Sequence, residues 1–191
     1  MFNKKWKAKT LAIHIIRKVQ SSDFKNRKDV QWIEQNIINS GHVLDICCGP
    51  GLYSTHLLKK APGIQYTGVD INHEYLKQAK LNFLLDDIDG VLMDGDAKEL
   101  VFTDGLFDQV WLFNWWITGD DEKVLTEAKR ILKDDGTLLI NHPFFIGYSR
   151  IYSLFDELDS IELPHRNKRT LKPMWYKYLK MKKKVGGMIG K

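Results

Sequence analysis

The segment His42-Val43-Leu44-Asp45-Ile46-Cys47-Cys48-Gly49-Pro50-Gly51 gathers the residue types from which a ligand site can be built. Gly49 and Gly51 permit a tight turn and let backbone approach a ligand closely. A helix beginning near Leu52 would point its free N–H groups at the same place. Asp70 follows the loop by about 20 residues, the spacing at which an acid accepts hydrogen bonds from ribose hydroxyls. By spacing alone, a nucleoside-containing cofactor is indicated.

The loop also discriminates between such cofactors. A dinucleotide fingerprint would read G-x-G-x-x-G and set a pyrophosphate on the helix N-terminus. Counted from Gly49, the third glycine position is Ser54, and Asp45 closes the strand before the loop. A carboxylate repels a pyrophosphate but attracts an ammonium or sulfonium group. The loop therefore suits a cationic, phosphate-free ligand, with a dinucleotide enzyme as a further alternative.

These residues need elements to hold them. Apolar spacing predicts helices over Trp6–Gln20 and Asp29–Ile38, the second stopped by Ser40-Gly41. His42–Ile46 then reads as a short buried strand, and the loop leads into a helix from Leu52. The unit recurs: strand Tyr66–Asp70, helix His73–Phe83, strand Gly90–Met93, strand Phe107–Phe113. Helix Asp121–Leu132, a turn at Asp134-Asp135-Gly136 and strand Thr137–Asn141 complete the middle. Strands alternating with helices imply right-handed crossovers and a mostly parallel sheet covered on both faces. The fold class is α/β, doubly wound.

Beyond Asn141 the pattern changes. Tyr148–Leu158 reads as a helix, and Leu171, Met174, Trp175, Tyr178 and Leu179 also fit helical spacing, although Tyr176-Lys177-Tyr178 permits a strand. Helix is the preferred reading.

The chain has 191 residues with 43% apolar, 12% aromatic and 28% charged content, which argues against disorder. Its net charge of +5 divides unevenly: +7 over residues 1–30, −12 over 31–163 and +10 over 164–191. No window reaches the roughly 18 uninterrupted apolar residues of a membrane span. The N-terminal stretch does not read as a signal segment. The only cysteines, Cys47 and Cys48, are adjacent and lack metal-ligand spacing. A reducing, cytoplasmic setting and no metal are expected.

Over roughly residues 40–142 the chain resembles the class I S-adenosylmethionine-dependent methyltransferases. HVLDICCGPG resembles the family's first motif, D-x-G-x-G-x-G, matching at Asp45, Gly49 and Gly51, with Cys47 where the first glycine usually stands. Gly68-Val69-Asp70-Ile71 resembles the second motif, which implies Asp70 on the ribose and Ile71 against adenine. Asp94-Gly95-Asp96-Ala97 resembles the third, which implies Asp96 on the adenine amino group with Ala97 beside it. Phe107–Val110 and Lys129–Gly136 resemble the fourth strand and the helix–turn–strand after it. The resemblance implies a Rossmann-like three-layer sandwich and S-adenosyl-L-methionine as cofactor. It implies Asp45, Cys47, Gly49, Gly51, Asp70, Ile71, Asp96, Ala97 and Asn114 in the cofactor site.

The resemblance also implies that residues near the transferred methyl come from Asn114-Trp115-Trp116 and Asn141-His142-Pro143-Phe144-Phe145. His142 is the candidate general base, or else a loop histidine with satisfied hydrogen bonds. Trp115 and Trp116 are candidate substrate walls or ordinary packing, and Tyr53 is a candidate at the methionine end. His56 is expected on a solvated face. Trp115 and Trp116 replace both prolines of the N-P-P-aromatic motif, which argues against DNA or glutamine N-methylation.

The expected organisation is a helical cap over 1–39, the cofactor-binding core over 40–145, and a helical, basic extension over 146–191. Family members usually add two strands after the fifth; with the tail read as helix, either the sheet is abbreviated there or the chain is a shortened member with an incomplete active site. The basic ends have three readings: helices packed on the acidic core, an RNA footprint, or a membrane-surface helix. The RNA footprint would use Arg166, Lys168, Arg169, Lys172 and Lys182–Lys184 with Trp175, Tyr176 and Tyr178. The favoured function is methyl transfer to a small molecule. The alternatives are a non-catalytic binding module of the same fold and an RNA methyltransferase.

Overall fold

The computed structural model describes residues 22–113, 121–143, 148–166 and 173–184. Seven strands make one sheet: β1 (Ser40–Ile46), β2 (Gly63–Asp70), β3 (Val91–Asp94), β4 (Phe107–Leu112), β5 (Leu132–Pro143), β6 (Phe155–Arg166) and β7 (Pro173–Lys183). Their spatial order is β3-β2-β1-β4-β5-β7-β6. The first five are parallel, and β7 runs antiparallel to both β5 and β6. The described helices are α1 (Ser22–Lys25), α2 (Lys28–Asn36), α3 (Leu52–Lys60), α4 (His73–Leu85), α5 (Asp121–Ile131) and α6 (Tyr148–Leu154).

Alternation along each strand sends side chains to both faces, and both faces are covered. Leu44, Ile46, Val110, Leu112, Leu138 and Ile140 pack with Val124, Leu125, Ala128 and Ile131 of α5 and Ile151 of α6. On the other face Val43, Trp111 and Leu139 pack with Trp32 and Ile33 of α2 and Leu57 and Leu58 of α3. The chain goes from β1 to β2 and β3 on one side, then returns to place β4 on the other side of β1. A ligand crevice opens at such a reversal, outside the carboxyl ends of β1 and β4.

The end of the chain corrects two expectations. The segment read as a helical extension is the β6–β7 hairpin, and the sheet is not abbreviated. α6 stops at Leu154, four residues before the predicted end, and β6 begins at once. In β7, Tyr178 belongs to one apolar cluster while Leu179 and Met181 belong to the other. A strand inserted between β5 and β6 is covered on both faces, so apolar residues stand at both parities. That pattern imitated a helical stripe through Tyr178 and Leu179. The predicted helix over Trp6–Gln20 lies outside the described residues.

The opposite charges of tail and body meet in this arrangement. Lys177 pairs with Glu157 at 3.0 Å, Lys183 with Asp134 at 3.0 Å and Lys184 with Asp156 at 3.5 Å. Trp32 Nε1 donates to Asp159 of β6 at 3.1 Å, which ties α2 to the hairpin.

The strand register separates two substitutions that a helix would rank the other way. Met181 is fully buried while Trp175 is 48% exposed. Met181→Ala is expected to cost about 2–5 kcal/mol, and Trp175→Ala less than about 1 kcal/mol. Urea unfolding of the two variants checks this, and the reverse ranking would restore the helix.

Candidate functional site

The loop after β1 follows a left-handed path. Cys47, Gly49 and Gly51 have φ of 57°, 56° and 71°. Cys47 thus takes, without being glycine, the conformation for which glycine is the usual residue, at a cost of order 1 kcal/mol. Its side chain packs against the main apolar cluster. Burial pushes its thiol up to about 12, and the charges of Asp70, Asp45 and Asp96 push the same way. Cys47 is therefore an inert thiol in a negative field.

Gly51 closes the turn, its N–H donating to Cys48 O at 3.1 Å. It then caps α3, whose Thr55 N–H donates to Gly51 O at 2.9 Å. A Cβ on Gly51 would meet Phe83 Cε1 at 3.2 Å and Ala79 Cβ at 3.5 Å. A Cβ on Gly49 would find its nearest neighbour, Cys47 O, at 4.0 Å. The loop is thus packed behind Gly51 and open at Gly49.

Asp70, buried at the end of β2, joins this loop to the next helix. Its Oδ2 accepts the Gly49 N–H at 2.8 Å, and its Oδ1 accepts the Asn72 N–H at 2.8 Å. Asn72 in turn caps α4 by accepting from the Glu74 and Tyr75 N–H groups. An ionised carboxylate offers about four lone-pair directions, so two remain for a pair of hydroxyl donors. Ile71 stands beside it, 68% exposed, an apolar surface placed where a planar base can lie. Asp96 holds its own turn, Oδ1 accepting the Lys98 N–H at 2.9 Å, and Ala97 packs partly buried on the core.

Asp45 lies deeper than the spacing alone conveys, only 3% exposed. Its Oδ2 accepts from Ser54 Oγ at 2.6 Å and from the Tyr66 hydroxyl at 2.9 Å. Burial raises its carboxyl to about 7; the Ser54 and Tyr66 hydrogen bonds oppose the rise and the Asp70 charge adds to it. Ser54 and Tyr66 are site residues that sequence reasoning missed. Tyr66 reaches Asp45 because Gly68 stands between them in β2: a Cβ there would lie 2.7 Å from the Tyr66 hydroxyl.

Tyr53 is tied into a polar cluster at the carboxyl end of the sheet. Its hydroxyl donates to Asp29 Oδ2 at 3.1 Å and accepts from Arg27 Nη2 at 3.1 Å, and its ring tilts against Phe113. Tyr178 of β7 also donates to Asp29 Oδ2, at 3.1 Å. This cluster joins α2, α3 and β7, a convergence invisible in the linear order. His56, expected on a solvated face, is buried against Phe24 with Nε2 bonded to Glu34 Oε1. Glu34 comes from α2, a neighbour that the periodicity of α3 does not reveal. Asn114, Trp115 and Trp116 lie outside the described residues. His142 is placed by its backbone in β5, opposite Lys177, and its side chain lies outside the described set.

A family model described as "Methyltransferase domain" matches residues 43–136. Among curated proteins the chain is 32% identical over 139 residues to a demethylmenaquinone methyltransferase of Thermotoga maritima, covering 66% of this chain and 58% of that protein. It is 32% identical over 102 residues to a malonyl-[acyl-carrier protein] O-methyltransferase of Geobacter sulfurreducens, covering 52% of this chain and 37% of that one. Residues 43–136 are a methyltransferase domain, on the fold of the class I S-adenosylmethionine-dependent enzymes. The chain spans about half the length of the curated relatives it matches. The crystal structure of the [4+2]-cyclase SpnF superposes with a TM-score of 0.71 at 16% identity, over 83% of this chain and 82% of that one, a likeness of fold.

The family's cofactor, S-adenosylmethionine, fits the residues present. A sulfonium and an ammonium are favourable in the negative field around Cys47, where the carboxylates of Asp70, Asp45 and Asp96 converge. Gly49 leaves its side of the loop open, and Asp70 keeps lone pairs for ribose hydroxyls.

The buried acid predicts a pH dependence. A carboxyl that titrates near 7 folded and about 3.9 unfolded holds its proton more tightly in the folded protein. Folded stability is then fully supported below about pH 4 and falls as pH rises to about 7, by at most roughly 1.4 kcal/mol per unit. The difference between wild type and Asp45→Asn in urea unfolding at pH 5 to 8 should show this slope and level off above 7. A flat difference would mean that Asp45 is ionised throughout.

Proposed function

We propose that this chain transfers a methyl group from S-adenosyl-L-methionine to a small-molecule acceptor in the cytoplasm. The observation that carries the reading is Asp70 at the switch point of the sheet. It is aimed by the Gly49 and Asn72 N–H groups, with lone pairs to spare beside the open face of the glycine loop.

Asp70 would hold the ribose hydroxyls, Ile71 would lie on the adenine, and Asp96 with Ala97 would bound its amino edge. The Cys47–Gly51 loop would carry the amino-acid portion above Asp45. When bound, the cofactor supplies a methyl already activated by its sulfonium. The protein's contribution is then to align an acceptor atom in line with the breaking carbon–sulfur bond and to exclude water. Asn114 is proposed on the cofactor, and Trp115, Trp116 and Tyr53 at the acceptor side. His142, whose backbone ends β5 near Pro143, is proposed as base where the acceptor must lose a proton.

A small-molecule acceptor is supported by the relatives' names, demethylmenaquinone methyltransferase and malonyl-[acyl-carrier protein] O-methyltransferase. A cytoplasmic setting is supported by the free thiols of Cys47 and Cys48, and no described helix is long and apolar enough to cross a membrane.

Calorimetric titration with S-adenosylmethionine is expected to give saturable binding. Asp70→Ala should weaken it by about 100-fold, since two hydrogen bonds to a charged acceptor are worth roughly 3 kcal/mol. Undetectable binding to wild type would overturn the reading. Labelled-methyl transfer to small-molecule, RNA and protein fractions of a cell extract then locates the acceptor. Label confined to RNA would move the substrate class.

A further inference from the structure

The glycine loop is flexible by composition and fixed by its neighbours. Its peptide groups are anchored one by one. The Cys48–Gly49 peptide gives its carbonyl to the Gly51 N–H and its own N–H to Asp70. The Gly49–Pro50 peptide has no N–H to give. The Pro50–Gly51 peptide gives its N–H to Cys48 O, and its carbonyl accepts at 2.8 Å from Asn82 Nδ2.

Asn82 is 2% exposed, in the third turn of α4 and far in sequence from every motif of the site. Its neighbours Ala79 and Phe83 form the wall behind Gly51. Its Oδ1 has no hydrogen-bond partner among the described residues, so the amide is held in this buried position by its donor side. Burying an amide with half its capacity unmet is costly; leucine or alanine would serve simple packing better.

We infer that Asn82 is a positioning residue for cofactor binding: its amide holds the Pro50 carbonyl and thereby sets the glycine loop in the binding conformation. This rests on the cofactor reading given under Proposed function. Without the amide, rotation at Gly49 and Gly51, both at positive φ, is restrained on one side only. Asp70 at the end of β2 and Asn82 on α4 grip the loop from one β2–α4 unit, the first through Gly49 and the second through Pro50. The apparent affinity of a site falls by the fraction of molecules in the competent conformation. A drop of that fraction to about one tenth raises Kd about tenfold.

The test compares Asn82→Ala, Asn82→Asp and Gln78→Ala by calorimetry and thermal unfolding. Asn82→Asp keeps the shape but sets an acceptor against the Pro50 carbonyl. Gln78→Ala removes a buried polar side chain of the same helix, whose Oε1 has no hydrogen-bond partner among the described residues. Both Asn82 variants are expected to raise the Kd of S-adenosylmethionine about tenfold or more, Asp at least as much as Ala. Gln78→Ala should leave it within about twofold whatever its effect on Tm. Adenosine, gripped by Asp70 and Ile71 and not by the loop, should lose less than about twofold in either Asn82 variant.

An unchanged Kd in Asn82→Ala overturns the inference. So does an equal loss for adenosine, or a loss in Gln78→Ala that matches it. A wild type that binds no S-adenosylmethionine overturns the cofactor reading instead. If Asn82→Asp fails to fold, the Ala variant and the adenosine comparison decide alone.

Discussion

The site depends on one carboxylate that is fastened before any ligand arrives. Asp70 accepts backbone N–H groups from the loop after β1 and from the residue that caps α4. Two segments separated by a whole βα unit are thereby registered on one acid. The parallel pairing of β1 with β2, which runs unbroken to Ile46 opposite Val69, brings both strand ends to the same level. A glycine-containing loop alone would pay the entropy of ordering when the ligand binds. Here tertiary contacts with β2 and α4 have ordered it in advance.

Packing beneath the loop explains residues that otherwise look idiosyncratic. Cys47 accepts a left-handed backbone because its small side chain can pack on the core there. Gly68 has to be glycine because the Tyr66 hydroxyl passes through the volume a side chain would take on its way to Asp45. Asp45 is consequently enclosed by hydroxyls and raised by burial. Its charge is available to a cation only in part near neutral pH. The field at the loop is set jointly by Asp45, Asp70 and Asp96 rather than by the motif acid alone.

The basic tail has a structural share in the molecule. Lys177, Lys183 and Lys184 meet Glu157, Asp134 and Asp156, and β7 fills the sheet between β5 and β6. The contrast of charge between tail and body therefore serves the hairpin's place in the fold. The likeness to a [4+2]-cyclase of the same fold shows how little this scaffold alone says about the reaction.

The sequence by itself determined the parallel core and the cofactor end of the site. Strand-to-loop-to-helix changes are local, and Asp45, Gly49, Gly51 and Asp70 sit at fixed offsets from them. β1 through β4 and α2 through α5 were legible within a few residues for the same reason, whereas β5 begins at Leu132, five residues before the predicted strand, and runs through the predicted turn at Asp134-Asp135-Gly136. The tail was not legible, because a strand buried on both faces carries apolar residues at both parities, and Tyr178 and Leu179 then mimic a helix. His56 with Glu34, Tyr53 with Asp29, and Asn82 with Pro50 were equally hidden. Each pair joins residues more than twenty positions apart, through helix packing that periodicity does not encode. Spacing fixes which residues can meet a ligand along the chain; only the packed fold decides which neighbours orient them, because those contacts form between elements.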